Sequence, residues 1–358
     1  MPRRSEIARI SGSVMPGWIV WLLAGVMSPA LAIDIEPLAP SVWAASQPAE
    51  RRSDDSNSLI VAGDDGVLVV DAQASPADCQ AIIEFIRREI GQPVRYLVNT
   101  HWHADHVQGN ALYREAFGDA LQIIGHATLA DDIPQRAEPD LAHRVALLQE
   151  QIPPVRQQLV DGLKRDGTPL TDAERLTQQA ALERAEAWLA ANRDARFVVP
   201  NRLIDSTLKI DDGGLNVRLI PLSGHTRADL VVYLPDQQIM AAGDLLDPAP
   251  FIGHGYPGEW RDALTRLSGY PVQYWLPGHG AVQPDGELIE RLQTFFDALI
   301  DAVAVLVDRP LEEVQQRVDL DEAIAHLAGH DDQARMFLSQ SIDQAIARAY
   351  QEMTASPH

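Results

Sequence analysis

The segment His101-Trp102-His103-Ala104-Asp105-His106 is the most informative stretch of this sequence. It holds three imidazoles and one carboxylate, and imidazole nitrogen and carboxylate oxygen are ligands that zinc accepts in proteins. The segment directly follows Val94–Asn99, which we predict to be a buried strand. Catalytic groups in layered α/β folds commonly follow strands, because the rigid sheet holds the loop. The hexamer therefore predicts a metal site at the end of a strand.

Three further motifs each place one potential ligand beside a glycine, just after a predicted strand. The motifs are Ser223–Thr226 after Val217–Leu222, Ala242–Asp244 after Gln238–Ala242, and Pro277–Gly280 after Tyr274–Leu276. Their potential ligands are His225, Asp244 and His279. Glycine lets the backbone turn sharply and approach an ion closely. The repetition indicates one site that is assembled from distant parts of the sequence.

Taken in order with Asp71, these motifs resemble the signature of the metallo-β-lactamase superfamily over about residues 57–281. The resemblance implies an αββα sandwich, in which two mixed sheets pack face to face with helices outside. It also implies that the metal site lies at one sheet edge.

The resemblance further implies two zinc ions per chain. His101, His103 and His225 would bind the first ion; Asp105, His106 and His279 would bind the second. Asp244 would bridge both ions, and Asp71 would orient the histidine-rich loop from behind.

The implied reaction is hydrolysis of a small molecule. A metal-bound hydroxide would attack the carbonyl of an ester, lactone, thioester or lactam. Asp105 would act catalytically by carrying the proton that is transferred during this hydrolysis. Trp102 and His254 are candidate residues of the substrate pocket.

Three alternatives stay open. The first is a β-lactamase of the cysteine-free metallo subclass, which usually has serine where this sequence has Asp244. The second is an iron-dependent sulfur dioxygenase, although such relatives lack the full set of second-metal ligands. The third is a non-catalytic metal-binding or scaffold protein, which would need a defective site, whereas no ligand is missing here. The complete ligand set favours the zinc hydrolase.

Residues 1–32 are predicted to be a cleaved signal peptide. A basic start with Arg3, Arg4 and Arg9 precedes the apolar stretch 17–27, and Ala30-Leu31-Ala32 fits the cleavage pattern. An uncleaved membrane anchor is the alternative, but the apolar run is short for a full span. We therefore expect a periplasmic or secreted protein without a stable membrane anchor.

The rest of the chain is predicted to form one domain with a helical insert and a helical C-terminal extension. We predict a metallo-β-lactamase-fold domain at 33–284, a polar helical insert within it at 127–200, and a helical extension at 285–358. The net charge of −22 repels phosphate backbones, so nucleic acid is not an expected partner. The single cysteine, Cys79, excludes an internal disulfide.

Overall fold

Two mixed β-sheets form the centre of the fold in the computed structural model, which describes residues 33–355. The predicted signal peptide lies outside these residues. The strands are β1 (Asp34–Ala39), β2 (Val42–Ser46), β3 (Ser58–Ala62), β4 (Val67–Val70), β5 (Val94–Val98), β6 (Gln122–His126), β7 (Arg202–Ile204), β8 (Leu208–Asp212), β9 (Leu215–Leu222), β10 (Asp229–Leu234), β11 (Ile239–Gly243) and β12 (Tyr274–Pro277). The first sheet has the order β1-β2-β3-β4-β5-β6-β7, and the second has the order β12-β11-β10-β9-β8.

Helices occupy the connections and the C-terminal part of the described chain. They are α1 (Pro76–Phe85), α2 (Ala104–Val107), α3 (Asn110–Phe117), α4 (Leu129–Asp132), α5 (Glu138–Asp161), α6 (Asp172–Asn192), α7 (Pro257–Leu267), α8 (Glu287–Ala304), α9 (Leu311–Arg317), α10 (Asp321–Ala328) and α11 (Asp332–Thr354). None of these helices is long and apolar enough to cross a membrane.

Alternating side chains explain why the sheets form layers. In β4, Leu68 and Val70 enter the core between the two sheets, whereas Val67 and Val69 pack on the outer side, near α1. In β10, Val232 faces the core between the sheets and Val231 faces the C-terminal helices. Because successive strand residues point to opposite faces, each apolar strand serves two cores. The predicted αββα sandwich with two mixed sheets and a helical C-terminal extension is confirmed.

Helix α1 begins and ends as its sequence dictates. Ser75 caps its N-terminus by accepting a hydrogen bond from the Asp78 amide, and Pro76 occupies the first turn. A π-helical segment, Ile86–Ile90, continues the helix until Gly91, whose φ of 73° ends it. The predicted helix boundaries at Ser75 and Gly91 are confirmed.

Residues Arg144–Arg193 form a separate compact unit that contains α6 and most of α5. The start of α6 is fixed by a capping box: Oγ1 of Thr171 accepts from the Glu174 amide, and the Glu174 carboxylate accepts from the Thr171 amide. The helix predicted to run from Thr171 towards Asn192 is confirmed, and it lies within the stretch predicted to be a helical insert.

Two strands were not predicted from the sequence. β1 contains Pro37 and has mostly exposed or half-buried residues, because it is an edge strand. β7 has three residues at the other edge of the same sheet. Neither strand carries the apolar alternation that identifies a half-buried strand.

Trp260 in α7 anchors the helical layer on the second sheet. Its ring is fully buried with its centroid 4.8 Å from that of Phe296, and Nε1 donates to the Leu245 carbonyl over 2.9 Å. We expect Trp260→Ala to lower the free energy of unfolding by about 3–5 kcal/mol, measured by urea denaturation, because it leaves a large cavity. The control Val305→Ala, at a side chain 83% exposed, is expected to change it by less than about 0.5 kcal/mol. Equal effects of the two substitutions would contradict the assigned packing.

Candidate metal centre

The carboxyl ends of five strands bring together the predicted ligands and the predicted orienting residue, Asp71. β4 and β5 are parallel neighbours in the first sheet. In the second sheet β9, β11 and β12 run in the same direction, since β11 pairs in parallel with β12 and is related to β9 through antiparallel β10. The residues that follow these strands are Asp71, the segment 101–106, His225, Asp244 and His279. The two sheets meet at this edge, where the Leu230 amide donates to the Thr100 carbonyl over 2.7 Å.

Three imidazole nitrogens form the first group of donors. Nδ1 of His103 lies 3.0 Å from Nε2 of His101 and 2.9 Å from Nε2 of His225. All three side chains are at the same sheet edge, and His101 and His225 are completely or almost completely buried. Together with Asp244, these residues could hold one metal ion.

A second group consists of Asp105, His106 and His279, which could also hold a metal ion. Oδ2 of Asp105 lies 3.1 Å from Nε2 of His279 and 3.4 Å from Nε2 of His106. His106 is fully buried, whereas 28% of the Asp105 side chain is exposed. Asp105 therefore connects this group to solvent.

Asp244 lies between the two groups and directs one carboxylate oxygen towards each. Oδ2 lies 3.4 Å from Nε2 of His225 and 3.8 Å from Nε2 of His101. Oδ1 lies 3.2 Å from Nε2 of His106 and 3.6 Å from Nε2 of His279. The seven side chains predicted as ligands thus lie close together around one carboxylate.

Hydrogen bonds behind the rings orient His101 and His106. Nδ1 of His106 donates to Oδ2 of Asp71 over 2.8 Å, which leaves the Nε2 lone pair facing the donor cluster. Oγ1 of Thr100 donates to the same Asp71 oxygen over 2.8 Å and can accept from Nδ1 of His101, 3.1 Å away. Ligating histidines in proteins are commonly fixed in this way by a partner at the other ring nitrogen. The structure places Asp71 behind the loop, in the orienting position predicted for it.

Partners outside the cluster also orient His279 and His103. Nδ1 of His279 is 3.1 Å from the carbonyl oxygens of both Arg52 and Asp55, so its Nε2 is left for the cluster. His103 has the opposite orientation, with Nδ1 in the cluster and Nε2 2.9 Å from Nδ1 of His254. Four imidazoles are therefore held with one lone pair aimed inwards.

Unpartnered atoms at the cluster fit a bound cation. Among the residues that the structure describes, Nε2 of His106 and Oδ1 of Asp244 are buried without a hydrogen-bond partner. When His106 is neutral with its proton on Nδ1, both atoms present lone pairs to each other at 3.2 Å, which is unfavourable unless a second ring proton or a metal ion places positive charge between them. A divalent cation would supply that charge, and nitrogen and oxygen donors suit zinc.

Burial keeps the first group of histidines neutral. It lowers the pKa of His101 and His103 well below the usual value, and it lowers that of His225 to about 4. Neutral imidazole is the form that binds metal, so no proton needs to leave these three rings at neutral pH.

In the second group, neighbouring opposite charges determine the direction of the pKa shifts. Burial alone would lower the pKa of His106, but Asp71, Asp105 and Asp244 raise it well above the usual value. Conversely, burial alone would raise the pKa of Asp244, but the surrounding histidines hold it well below its usual range. Without a cation, protons on the histidines thus balance the buried carboxylates, and a bound cation would take over that role.

Glycines beside the ligands are required by close packing. A Cβ atom at Gly278 would overlap Oδ1 of Asp244, so a side chain there would displace this carboxylate. Gly243 has a φ of 53°, and a Cβ atom there would lie 2.7 Å from Oγ1 of Thr100. These contacts explain why glycines stand beside the predicted ligands of the second sheet.

The two predicted pocket residues lie side by side. Trp102 is 3% exposed, and its ring centroid is 4.3 Å from that of His103 and 5.0 Å from that of His254. His254 is half-buried and lines a cavity of about 400 Å³ together with Phe251 and Arg348. A role of either residue in binding substrate stays a prediction.

Three supporting residues were not identified from the sequence. Nδ2 of Asn57 donates to the carbonyls of Pro277 and Gly280, at 2.9 and 2.8 Å, and so fixes the loop that carries His279. Oγ1 of Thr100 serves two histidine partners, and Oγ of Ser56 donates to the Asp105 carbonyl over 2.7 Å. Such residues are common in turns, so no sequence signal distinguishes them.

Asp247, which follows Asp244 closely in the sequence, also lies near the cluster. It forms a possible third ligand group with Asp244 and His279. Oδ1 of Asp247 accepts from the Ala249 amide over 2.8 Å, and burial raises its pKa to about 6. Because it already bonds a backbone amide, we regard it as a supporting residue of the loop.

Known proteins match the stretch of the chain that carries the donor cluster. The family model described as the metallo-beta-lactamase superfamily matches residues 51–279, a range that includes all seven predicted ligands. A linear primary-alkylsulfatase from Pseudomonas sp. (strain ATCC 19151) is 20% identical over 308 residues, which cover 80% of this chain and 53% of that protein. A metallo-beta-lactamase type 2 from Bacillus cereus is 22% identical over 270 residues, 73% of this chain and 81% of that one.

A solved structure supports the fold. The stereoselective inverting sec-alkylsulfatase Pisa1 from Pseudomonas sp. aligns with a TM-score of 0.62 at 15% identity, over 90% of this chain and 50% of that one. This chain therefore spans about half the length of the alkylsulfatases it matches.

Proposed function

The chain belongs to the metallo-β-lactamase superfamily, and we propose that it is a hydrolase of small molecules that binds two zinc ions. One observation carries the proposal. Seven histidine and aspartate side chains from four loops converge at one sheet edge, where Asp244 directs one oxygen to each of two donor groups. Two neighbouring dications suit hydrolysis, because they make water a nucleophile at neutral pH and stabilise charge on the substrate oxygen.

The residues of the chain have distinct roles in this proposal. His101, His103 and His225 hold the first ion; Asp105, His106 and His279 hold the second; Asp244 joins them. Asp71 acts through Thr100 and His106, to which it is hydrogen-bonded, and fixes the loop that carries four of the ligands. No serine or cysteine nucleophile is needed, and Cys79 is buried with its thiol bonded to the Ala72 carbonyl.

Asp105 is the residue we propose to move the proton during hydrolysis. Its side chain is 28% exposed and Oδ2 lies 3.1 Å from Nε2 of His279, so the carboxylate reaches both the donor cluster and solvent. A carboxylate that is ionised at neutral pH can accept a proton from the attacking water and pass it to the leaving group.

The first candidate substrates are carbonyl compounds: esters, lactones, thioesters and lactams. The match to alkylsulfatases over most of this chain favours sulfate esters as a second candidate. A β-lactamase function is supported by the Bacillus cereus relative. The predicted ligands of this chain include Asp244 and no cysteine, and this set agrees less well with a β-lactamase function. Export to the periplasm or beyond, through residues 1–32, stays part of the proposal.

A panel of chromogenic substrates tests the proposed reaction. We expect zinc-loaded protein to hydrolyse at least one ester, lactone, thioester, lactam or sulfate ester with a kcat/KM at least about a thousand-fold above that of Asp244→Ala, since metal catalysis is worth several kcal/mol. Absorbance of the released chromophore is the readout. Protein that binds two zinc ions but turns over none of these classes would contradict the substrate proposal. Protein purified with iron and active on a persulfide would support the dioxygenase alternative instead.

A further inference from the structure

A hydrogen bond between two histidines joins the donor cluster to the C-terminal part of the chain. We propose that His254 is a positioning residue for His103, and that helix α11 holds His254 in place. The inference rests on the proposed function, because it assigns His103 to the first metal ion. It adds a specific partner from outside the seven predicted ligands.

The orientation of His103 is the first step of the inference. Its Nδ1 lies about equally far from Nε2 of His101 and Nε2 of His225, at 3.0 and 2.9 Å, so Nδ1 is the ligating atom. A neutral imidazole that ligates through Nδ1 carries its proton on Nε2. The His103 ring is half-buried beside Trp102 and Phe251, with ring centroids at 4.3 and 6.3 Å, so an acceptor for that proton within the protein would fix the direction of the ring.

His254 supplies this acceptor. Its Nδ1 lies 2.9 Å from Nε2 of His103, so His103 can donate and His254 can accept. His101 and His106 have Thr100 and Asp71 in the corresponding positions. Partners of this kind fix the tautomer and the ring direction of a ligand and raise its basicity.

The segment that carries His254 is fixed by α11. Nε of Arg348 donates to the Gly255 carbonyl over 2.7 Å, directly after His254 in the chain. The Glu352 carboxylate accepts from the Gly258 and Glu259 amides at 2.8 and 3.1 Å, and so caps the N-terminus of α7. Two side chains one turn apart on α11 thus hold both ends of the segment 255–259. The C-terminal extension thereby contributes to the order of the metal centre.

The test compares metal binding by His254→Ala and His254→Asn with that of the wild-type chain. Zn²⁺ affinity is measured by competition with a chromogenic chelator, and the environment of the ion is followed by the visible absorption of the Co²⁺-loaded protein. We expect His254→Ala to weaken Zn²⁺ binding at one of the two metal sites by about 10- to 100-fold and to change the Co²⁺ spectrum. His254→Asn, whose Oδ1 takes the position of Nδ1 and can accept the same hydrogen bond, is expected to recover most of the affinity.

Two further variants make the result specific. His330→Gln, at an exposed histidine of the C-terminal extension, is expected to leave affinity and spectrum unchanged. Arg348→Met, which removes the bond to the Gly255 carbonyl, is expected to weaken zinc binding less than His254→Ala does, in the same direction.

The outcomes separate this inference from the proposed function. A wild-type chain that binds no Zn²⁺ or Co²⁺ would overturn the proposed function. A wild-type chain that binds two ions, with a His254→Ala variant of equal affinity and identical spectrum, would overturn the positioning role alone. Weak binding by His254→Ala without recovery in His254→Asn would also overturn it, since a loss of packing would then explain the effect.

Discussion

Replacement of Asp244 by alanine is expected to abolish hydrolysis and to empty at least one metal site. The carboxylate directs one oxygen to each donor group, so both groups lose a ligand at once. Because a catalytic metal contributes several kcal/mol and each 1.4 kcal/mol is a factor of ten, we expect kcat/KM to fall about a thousand-fold or more. Turnover of the best substrate and zinc content per chain are the measurements.

A second variant separates lost ligation from lost folding. Asp244→Asn keeps the shape of the side chain but removes its charge, and we expect the same loss of zinc and activity. Circular dichroism and thermal unfolding should show a folded chain, and Asp301→Ala, at an exposed aspartate, should behave like the wild type. Wild-type zinc content with full activity in either Asp244 variant would refute its role as the shared ligand.

Removal of metal by a chelator is the second change with a large expected effect. Excess chelator should reduce turnover to the background rate, and added Zn²⁺ should restore it, because no side-chain nucleophile can replace the activated water in the proposed reaction. Thermal stability should fall as well: an ion that binds only the folded chain at about 1,000 times its Kd contributes about 4 kcal/mol.

The matched control for the chelator is His101→Ala. That variant lacks a ligand of the first group, so chelator should shift its unfolding temperature less than it shifts the wild type. Undiminished turnover in a large excess of chelator, after full equilibration, would count against any metal-dependent mechanism.

The ligands could be predicted because their sequence context is unusual. Histidine and aspartate directly after apolar strands, and beside glycine, have few explanations other than close packing at a site, and Gly278 against Asp244 shows that packing directly. The layers of the sandwich were predictable for a similar reason, since strands such as β4 and β10 are apolar on both faces.

The supporting contacts could not be predicted. Asn57 and Thr100 are ordinary turn and strand-end residues, and only the meeting of two sheets gives them partners near the site. His254 was recognised as a residue near the pocket, but its bond to His103 joins positions 151 residues apart and depends on how the segment 255–259 is held. The exposed edge strands β1 and β7 lacked the pattern that a half-buried strand displays.

A crystal structure of zinc-soaked protein, with diffraction data collected at the zinc absorption edge, tests the proposed metal centre most directly. We predict two anomalous peaks, one enclosed by Nε2 of His101, Nδ1 of His103 and Nε2 of His225, and one beside Asp105, His106 and His279. Asp244 should contact both. The absence of zinc from this sheet edge, or peaks only at other places on the molecule, would contradict the proposed centre.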